Sequence, residues 1–204
     1  MSTTTVYSTA ADGYLKSSHA TYSTARSGVG STIVVVNTNS DIWIDQAAGY
    51  DLYCAYLDFD TSAIPDTDVV TAATLSLYPN ADPSGGTPGT LEVYAYDWGG
   101  TLTSADWIPG ASVAAMTLLA SRTTTGWVSD ARKALTSTAA FPAAINKTGT
   151  TYLYLCIAPF RTGDAPTGED YFGTYPYEMG AAYKPMLVVE HQAAGAKYAM
   201  VVKA

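Results

Sequence analysis

The chain has 204 residues, 48% of them hydrophobic and only 14% charged, with a formal net charge of −8. That hydrophobic content excludes a disordered chain. No stretch approaches the eighteen apolar residues of a membrane span, and the negative charge repels phosphate backbones over a Debye length of about 8 Å, which argues against nucleic acid as a partner.

The amino terminus, Met1-Ser-Thr-Thr-Thr-Val-Tyr7, has neither a basic start nor an apolar signal core. The expectation is a soluble chain that either follows a removed signal or reaches its working place by another route, such as assembly into a virus particle inside the host. Strand signals then recur at residues 6–7, 14–15, 32–36, 41–44, 53–59, 73–78, 91–96, 151–158 and 186–191. Ala55, Leu57 and Phe59 alternate with Tyr56, Asp58 and Asp60, and Ala73, Leu75 and Leu77 alternate with Thr74, Ser76 and Tyr78. This is the period of two of half-buried strands. Pro65 stops the first of these runs, and Gly, Pro, Asn and Asp clusters at 80–89 and 161–168 separate others.

Nothing between the strands has the length and period of a crossover helix, so the pattern predicts an all-β fold, an antiparallel, jelly-roll-like β-sandwich with one or two short helices. Leu57, Phe59, Leu75, Leu77, Leu153 and Leu155 are expected to face inward. Residues 131–135, capped by Ser129 or Asp130, read as a short helix, and 111–119 as helix or strand. The sandwich spans residues 1–191. Residues 192–204 form a small-residue linker and an apolar tail in which Tyr198, Met200 and Val202 alternate as a strand would. Such a tail either pairs back on its own sheet edge or docks on a neighbouring subunit.

Several short motifs carry a family resemblance. Tyr56-Leu-Asp-Phe-Asp60, Ile64-Pro65, Ala73-Thr-Leu-Ser-Leu-Tyr78, Val93-Tyr-Ala-Tyr-Asp-Trp98 and Pro185-Met-Leu-Val-Val189 follow one another as in DNRLRE-type domains, the disaggregatase-related carbohydrate-binding modules. Asp12-Gly13-Tyr14 and Tyr177-Glu178 are similar to that family too, and the resemblance covers about residues 6–191. It implies a sandwich fold and a sugar-binding relative. Where the family usually carries Arg or Lys, this chain has Asp51, Leu52, Tyr53 and Cys54, so the resemblance does not extend to an acidic-sugar ligand.

The motifs of hydride transfer, phosphoryl transfer and zinc hydrolysis are missing, and neither His19 nor His191 sits in a nucleophile elbow. Asp58 with Asp60, and Glu169 with Asp170, are the carboxylate pairs a glycosidase would need about 5 to 9.5 Å apart, but sequence alone does not set them across a cleft. No metal site or cofactor is expected. Structural calcium at Asp164, Glu169 and Asp170 is the one exception considered, against the simpler reading of solvated loop acids. Cys54 and Cys156 allow a single pairing, or two buried reduced thiols. Asn146-Lys-Thr148 matches a glycosylation sequon and, more simply, a turn.

The 16 Tyr and four Trp exceed what one core requires. The strand phase sets Tyr56, Tyr78, Tyr94 and Tyr96 opposite the Leu-rich face, where amphipathic rings can stack on sugars or anchor an interface. Tyr94, Tyr96, Trp98 and Trp107 are the carbohydrate-binding candidates, although the two Trp can equally plug the end of the sandwich. The expected function is a non-catalytic structural or surface-decorating subunit of a larger assembly, a phage virion whose capsid or tail carries it. Its partners would be neighbouring subunits, in a homo-oligomer, with a glycan as a further ligand. The alternative is a carbohydrate-binding module of a secreted, extracellular polysaccharide-active protein.

Overall fold

The computed structural model describes residues 1–37, 42–46, 49–81, 89–123, 125–165 and 170–195. Its elements in chain order are β1 (Ser2–Tyr7), β2 (Gly13–Ser18), α1 (Tyr22–Ser27), β3 (Thr32–Val36), β4 (Ile42–Gln46), β5 (Asp51–Asp60), β6 (Asp68–Leu77), β7 (Pro79–Ala81), β8 (Thr90–Ala95), α2 (Gly110–Val113), β9 (Leu118–Thr123), β10 (Lys133–Ala134), β11 (Thr136–Ser137), β12 (Thr150–Ile157), α3 (Ala158–Thr162), β13 (Asp170–Thr174) and β14 (Met186–Ala193). Every strand pair among the described residues is antiparallel, and the chain is an all-β sandwich. Three short α-helices accompany it rather than one or two.

The smaller sheet runs β1-β14-β6-β10 and the larger one β11-β9-β8-β12-β5-β4-β13-β7, with β2 and β3 added beside β5. Long alternating strands fill the centres of both. β5 and β12 pair from Thr150↔Asp60 to Leu155↔Ala55, and β6 and β14 pair along Leu75↔Leu187 and Ala73↔Val189. Leu57, Phe59, Leu75, Leu77, Leu153 and Leu155 are all fully buried, as the period of two requires.

The alternation misleads on one point. Residues out of phase with the Leu set are buried as well, because α1, α3 and the irregular segment between β8 and β9 cover the second face of the large sheet. The Tyr56 hydroxyl donates to the Asp106 carbonyl at 2.8 Å and Ser17 Oγ to the Ala25 carbonyl at 2.7 Å. Arg26 donates to the carbonyls of Phe160 and Arg161, both at 2.6 Å, tying α1 to α3. Trp107 lies against the end of α1 so closely that a Cβ on Gly28, at φ +76°, would stand 2.3 Å from its ring. The molecule is thus three layers: small sheet, large sheet and cap.

The helix expected at 131–135 is instead the short strand β10. Lys133 and Ala134 pair with Leu77 and Ser76, and Leu135 N–H donates to the Leu75 carbonyl at 2.9 Å. A helix of five residues cannot hold itself against the offer of a sheet edge, and the Asp130 carboxylate takes the Lys133 ammonium. Residues 111–119 divide into most of α2 and the start of β9. The tail residues Tyr198, Met200 and Val202 lie outside the described residues.

Candidate functional site

Three of the four aromatic residues singled out for sugar stacking are core residues. Tyr94 is 1% exposed, Trp98 6% and Trp107 8%. Tyr56 is buried beside them. Trp98 stands edge-on to Tyr56 at 5.4 Å and to Tyr152 at 4.7 Å, while Trp107 meets Phe160 at 5.6 Å. Their ring faces are occupied by protein, so sugar stacking there is corrected to packing under the cap. Tyr78 is half-buried in a cluster with Tyr175 and Tyr183. Only Tyr96 of the four candidates keeps part of its ring at the surface.

Tyr96 opens onto a groove of about 250 Å³ at the strand ends of β8 and β12, lined by Tyr96, Asp97, Asn146, Thr150 and Tyr152 among others. Ala95 and Ala144 also line a second hollow of about 390 Å³ with Met116, Leu119 and Ala140, so a polar half runs into an apolar one. The register builds this site: Leu153 pairs with Ala95, which sets Tyr152 and Tyr96 at one end of adjacent strands. Trp98 buttresses Tyr152 from behind. Asn146 is locked in a turn, its Oδ1 accepting from Thr148 N–H at 3.1 Å and Thr148 Oγ1 at 2.9 Å, and its Nδ2 donating to the Thr150 carbonyl at 3.2 Å. Asp97 accepts from Gly99 N–H at 2.8 Å. Rings, an amide and a carboxylate held by their own backbone give a prepositioned polar rim. Sequence reading missed Tyr152 and Thr150 because they belong to a strand whose Leu residues define its core phase; the β8–β12 pairing is the signal that joins them to Tyr96.

A second cluster has the atom order of an acyl-transfer triad. Thr4 Oγ1 lies 2.9 Å from His191 Nε2, and His191 Nδ1 lies 2.7 Å from Asp68 Oδ2. His191 is 5% exposed. Neither half of the groove reaches these residues. Each of the three comes from a different strand of the small sheet, so the cluster ties β1, β14 and β6 together.

Of the acidic pairs, Glu169 lies outside the described residues, and Asp58 and Asp60 are held by different partners in different surroundings. Asp58 is buried and accepts from Thr9 Oγ1 at 2.6 Å, while Asp60 is exposed and turned to Ser62. Burial holds the Asp58 carboxyl above its ordinary value, and the Ser62 hydroxyl and N–H hold Asp60 below its own. Asp12 accepts from Ser8 Oγ at 2.8 Å and from Tyr177 N–H at 3.0 Å, and burial pushes it up to about 7. Under the cap, Glu92 receives the Arg161 guanidinium through two bonds of 2.8 and 3.0 Å and the Tyr94 hydroxyl at 2.7 Å. That ion pair fastens α3 to β8.

Of the acids considered for calcium, Asp164 accepts from Thr162 Oγ1 at 2.6 Å at the end of α3, Glu169 lies outside the described residues, and only the backbone of Asp170 is described. Among the described residues no group of three or more His, Cys, Asp or Glu is arranged to hold a metal ion, and no helix is long and apolar enough to cross a membrane. Cys54 and Cys156 are buried free thiols. In comparison with known proteins, no family model matches the chain and none of the curated proteins does.

Proposed function

We propose that this protein is a non-catalytic surface subunit of a larger assembly, of the kind a phage particle carries on its capsid or tail, and that it joins a neighbouring copy through β1. The observation that carries the reading is the edge of the small sheet. β1 ends the strand order, and its residues Ser2-Thr-Thr-Thr-Val-Tyr7 contain no charge and no proline. Its register with β14 runs from Ser2↔His191 to Tyr7↔Met186 without a shift. Edges that must stay unpaired are normally interrupted by Lys, Pro or a bulge, and this one has none of them.

The direction of its free groups follows from the register. Ser8 N–H donates to the Pro185 carbonyl at 3.0 Å, so alternate residues turn toward β14. Thr3, Thr5 and Tyr7 therefore direct their backbone groups away from it, ready for an added strand. The groove between Tyr96 and Tyr152 supplies a place for a sugar on the exposed side of such a subunit.

Thr5→Pro removes one outward N–H without touching the β14 ladder. Sedimentation of the wild type should give an oligomer, and of a folded Thr5→Pro protein a monomer. A wild-type protein that remains monomeric at all concentrations overturns the assembly reading. If that monomer also binds glycan through the groove, the reading becomes that of a carbohydrate-binding module. Turnover of an activated ester that disappears in Thr4→Val would overturn the non-catalytic assignment.

A further inference from the structure

We propose that Thr4 is a nucleophile that accepts an acyl group from an activated ester or thioester, with His191 as its base. Three side chains in line carry the inference. Thr4 Oγ1 lies 2.9 Å from His191 Nε2, and His191 Nδ1 lies 2.7 Å from Asp68 Oδ2. A hydroxyl becomes a nucleophile when a base stands within hydrogen-bond reach and a third group orients that base. The Asp68 carboxylate accepts from Nδ1–H, which leaves the Nε2 lone pair facing the Thr4 hydroxyl. The non-catalytic reading stands beside this, because the chain is modified once and no turnover is required.

The sheet builds the line. Ser2 pairs with His191 and Thr4 with Val189, so Thr4 and His191 share the inward side of β1 and β14. His191 pairs with Val70, and Asp68, two residues earlier in β6, lies on that same side. His191 is 5% exposed and the Asp68 side chain 13%, whereas Thr4 on the edge strand is half-buried. Water is thereby kept from the base while the hydroxyl can be reached from the edge. Thr5 N–H follows the nucleophile and is turned away from β14 by the register, which makes it the backbone donor for the oxyanion that forms at Thr4.

Protons and bonds balance without a co-reactant. His191 Nε2 takes the Thr4 hydroxyl proton as Oγ1 bonds to the acyl carbon, and the carbonyl oxygen becomes an oxyanion. Its collapse breaks the bond to the leaving oxygen or sulfur, which takes the proton from Nε2. The products are a Thr4 ester and an alcohol, phenol or thiol. With a net charge of −8 the chain favours an uncharged donor over an anionic one.

The test mixes the full chain with p-nitrophenyl acetate, follows the released phenolate by absorbance, and locates the acetyl group by intact mass and fragmentation of the amino-terminal peptide. Because an added strand would compete for Thr5 N–H, the protein is kept dilute. One acetyl group per chain, on Thr4 Oγ1, is expected. Thr4→Ser should keep this adduct and Thr4→Val should lose it. His191→Gln should slow acetylation of Thr4 about a hundredfold, the usual worth of a positioned base, and Asp68→Asn should slow it as well, in variants shown to be folded by circular dichroism. The wild type in denaturant should lose the reaction, since the line exists only in the fold. Acetyl found only on lysines or the amino terminus overturns the proposal. So does acetylation of Thr4 at an equal rate in His191→Gln or in the denatured chain. Phenolate release beyond one equivalent that depends on Thr4 upholds the nucleophile and overturns the non-catalytic reading instead.

Discussion

His191 Nδ1 lies 2.7 Å from Asp68 Oδ2, and this contact between β14 and β6 sits where the β14 register shifts between Glu190 and His191. His191 follows Leu187 and Val189 on the inward side of β14, and its other nitrogen meets Thr4 of β1. A residue that sequence leaves as an isolated histidine near a strand end is thereby the joint of three strands. Asp68→Asn should lower unfolding free energy by about 1 to 3 kcal/mol, the usual cost of a disrupted charge-assisted hydrogen bond to a buried group. Thr4→Val should cost about 1 kcal/mol. Urea titrations of the two variants and their double mutant check this, with coupling between the sites expected because both act through one ring.

Leu75 is fully buried, opposite Leu187 in β14, and its carbonyl accepts from Leu135. Leu75→Ala should cost about 2 to 5 kcal/mol through lost burial and the cavity left behind. A denaturant midpoint that moves with an unchanged slope would show that the loss lies in the native core.

Asp12 makes stability fall as pH rises. Its folded pKa is up to about 7 because burial disfavours the carboxylate, with Glu178 and Asp58 adding like charge against the opposing bonds from Ser8 and Tyr177. Between about pH 4 and 7 the native state holds a proton that the unfolded chain has released, so this contribution weakens through that window and levels off above it. Asp58 shifts in the same direction. Asp51 and Asp60, held low at the surface, act oppositely and only in more acid solution. Asp12→Asn should remove up to about 2 to 3 kcal/mol of the stability difference between pH 5 and pH 7. Chemical unfolding of both proteins at the two pH values is the measurement.

Tyr152→Ala and Tyr96→Ala should each weaken binding of a neutral oligosaccharide at least tenfold, while Trp107→Phe, under the cap, should leave affinity unchanged. Calorimetric titration against a panel of neutral glycans checks this, and equal affinity in all variants removes the groove as the sugar site.

The long strands were legible because apolar residues at every second position survive in β5, β6, β8, β12 and β14. Tyr is ambiguous in such a pattern. A ring with a hydroxyl satisfies a polar position in the alternation and a buried position in the fold equally well, and Tyr56 finds its partner in the Asp106 carbonyl, far along the chain. The cap that buries it has no period to detect: it is three short helices and the irregular chain around α2, held by Arg26 and Arg161 through contacts of high sequence separation. β10 and β11, two residues each, are equally silent, since pairing with a neighbour and not local propensity creates them. The groove shares that origin, joining Tyr96 to Tyr152 and to a turn at Asn146 only once β8 and β12 are in register.

The cap over the large sheet also governs where this protein can change. With one side of that sheet against the other sheet and the second side under α1 and α3, substitutions on either side are felt by two layers at once. Substitutions meet fewer neighbours at strand ends and in the outermost strands, where the groove and β1 lie. The groove and the β1 edge can therefore be altered one at a time, like attachments on a sealed cartridge, while the stack between them stays fixed.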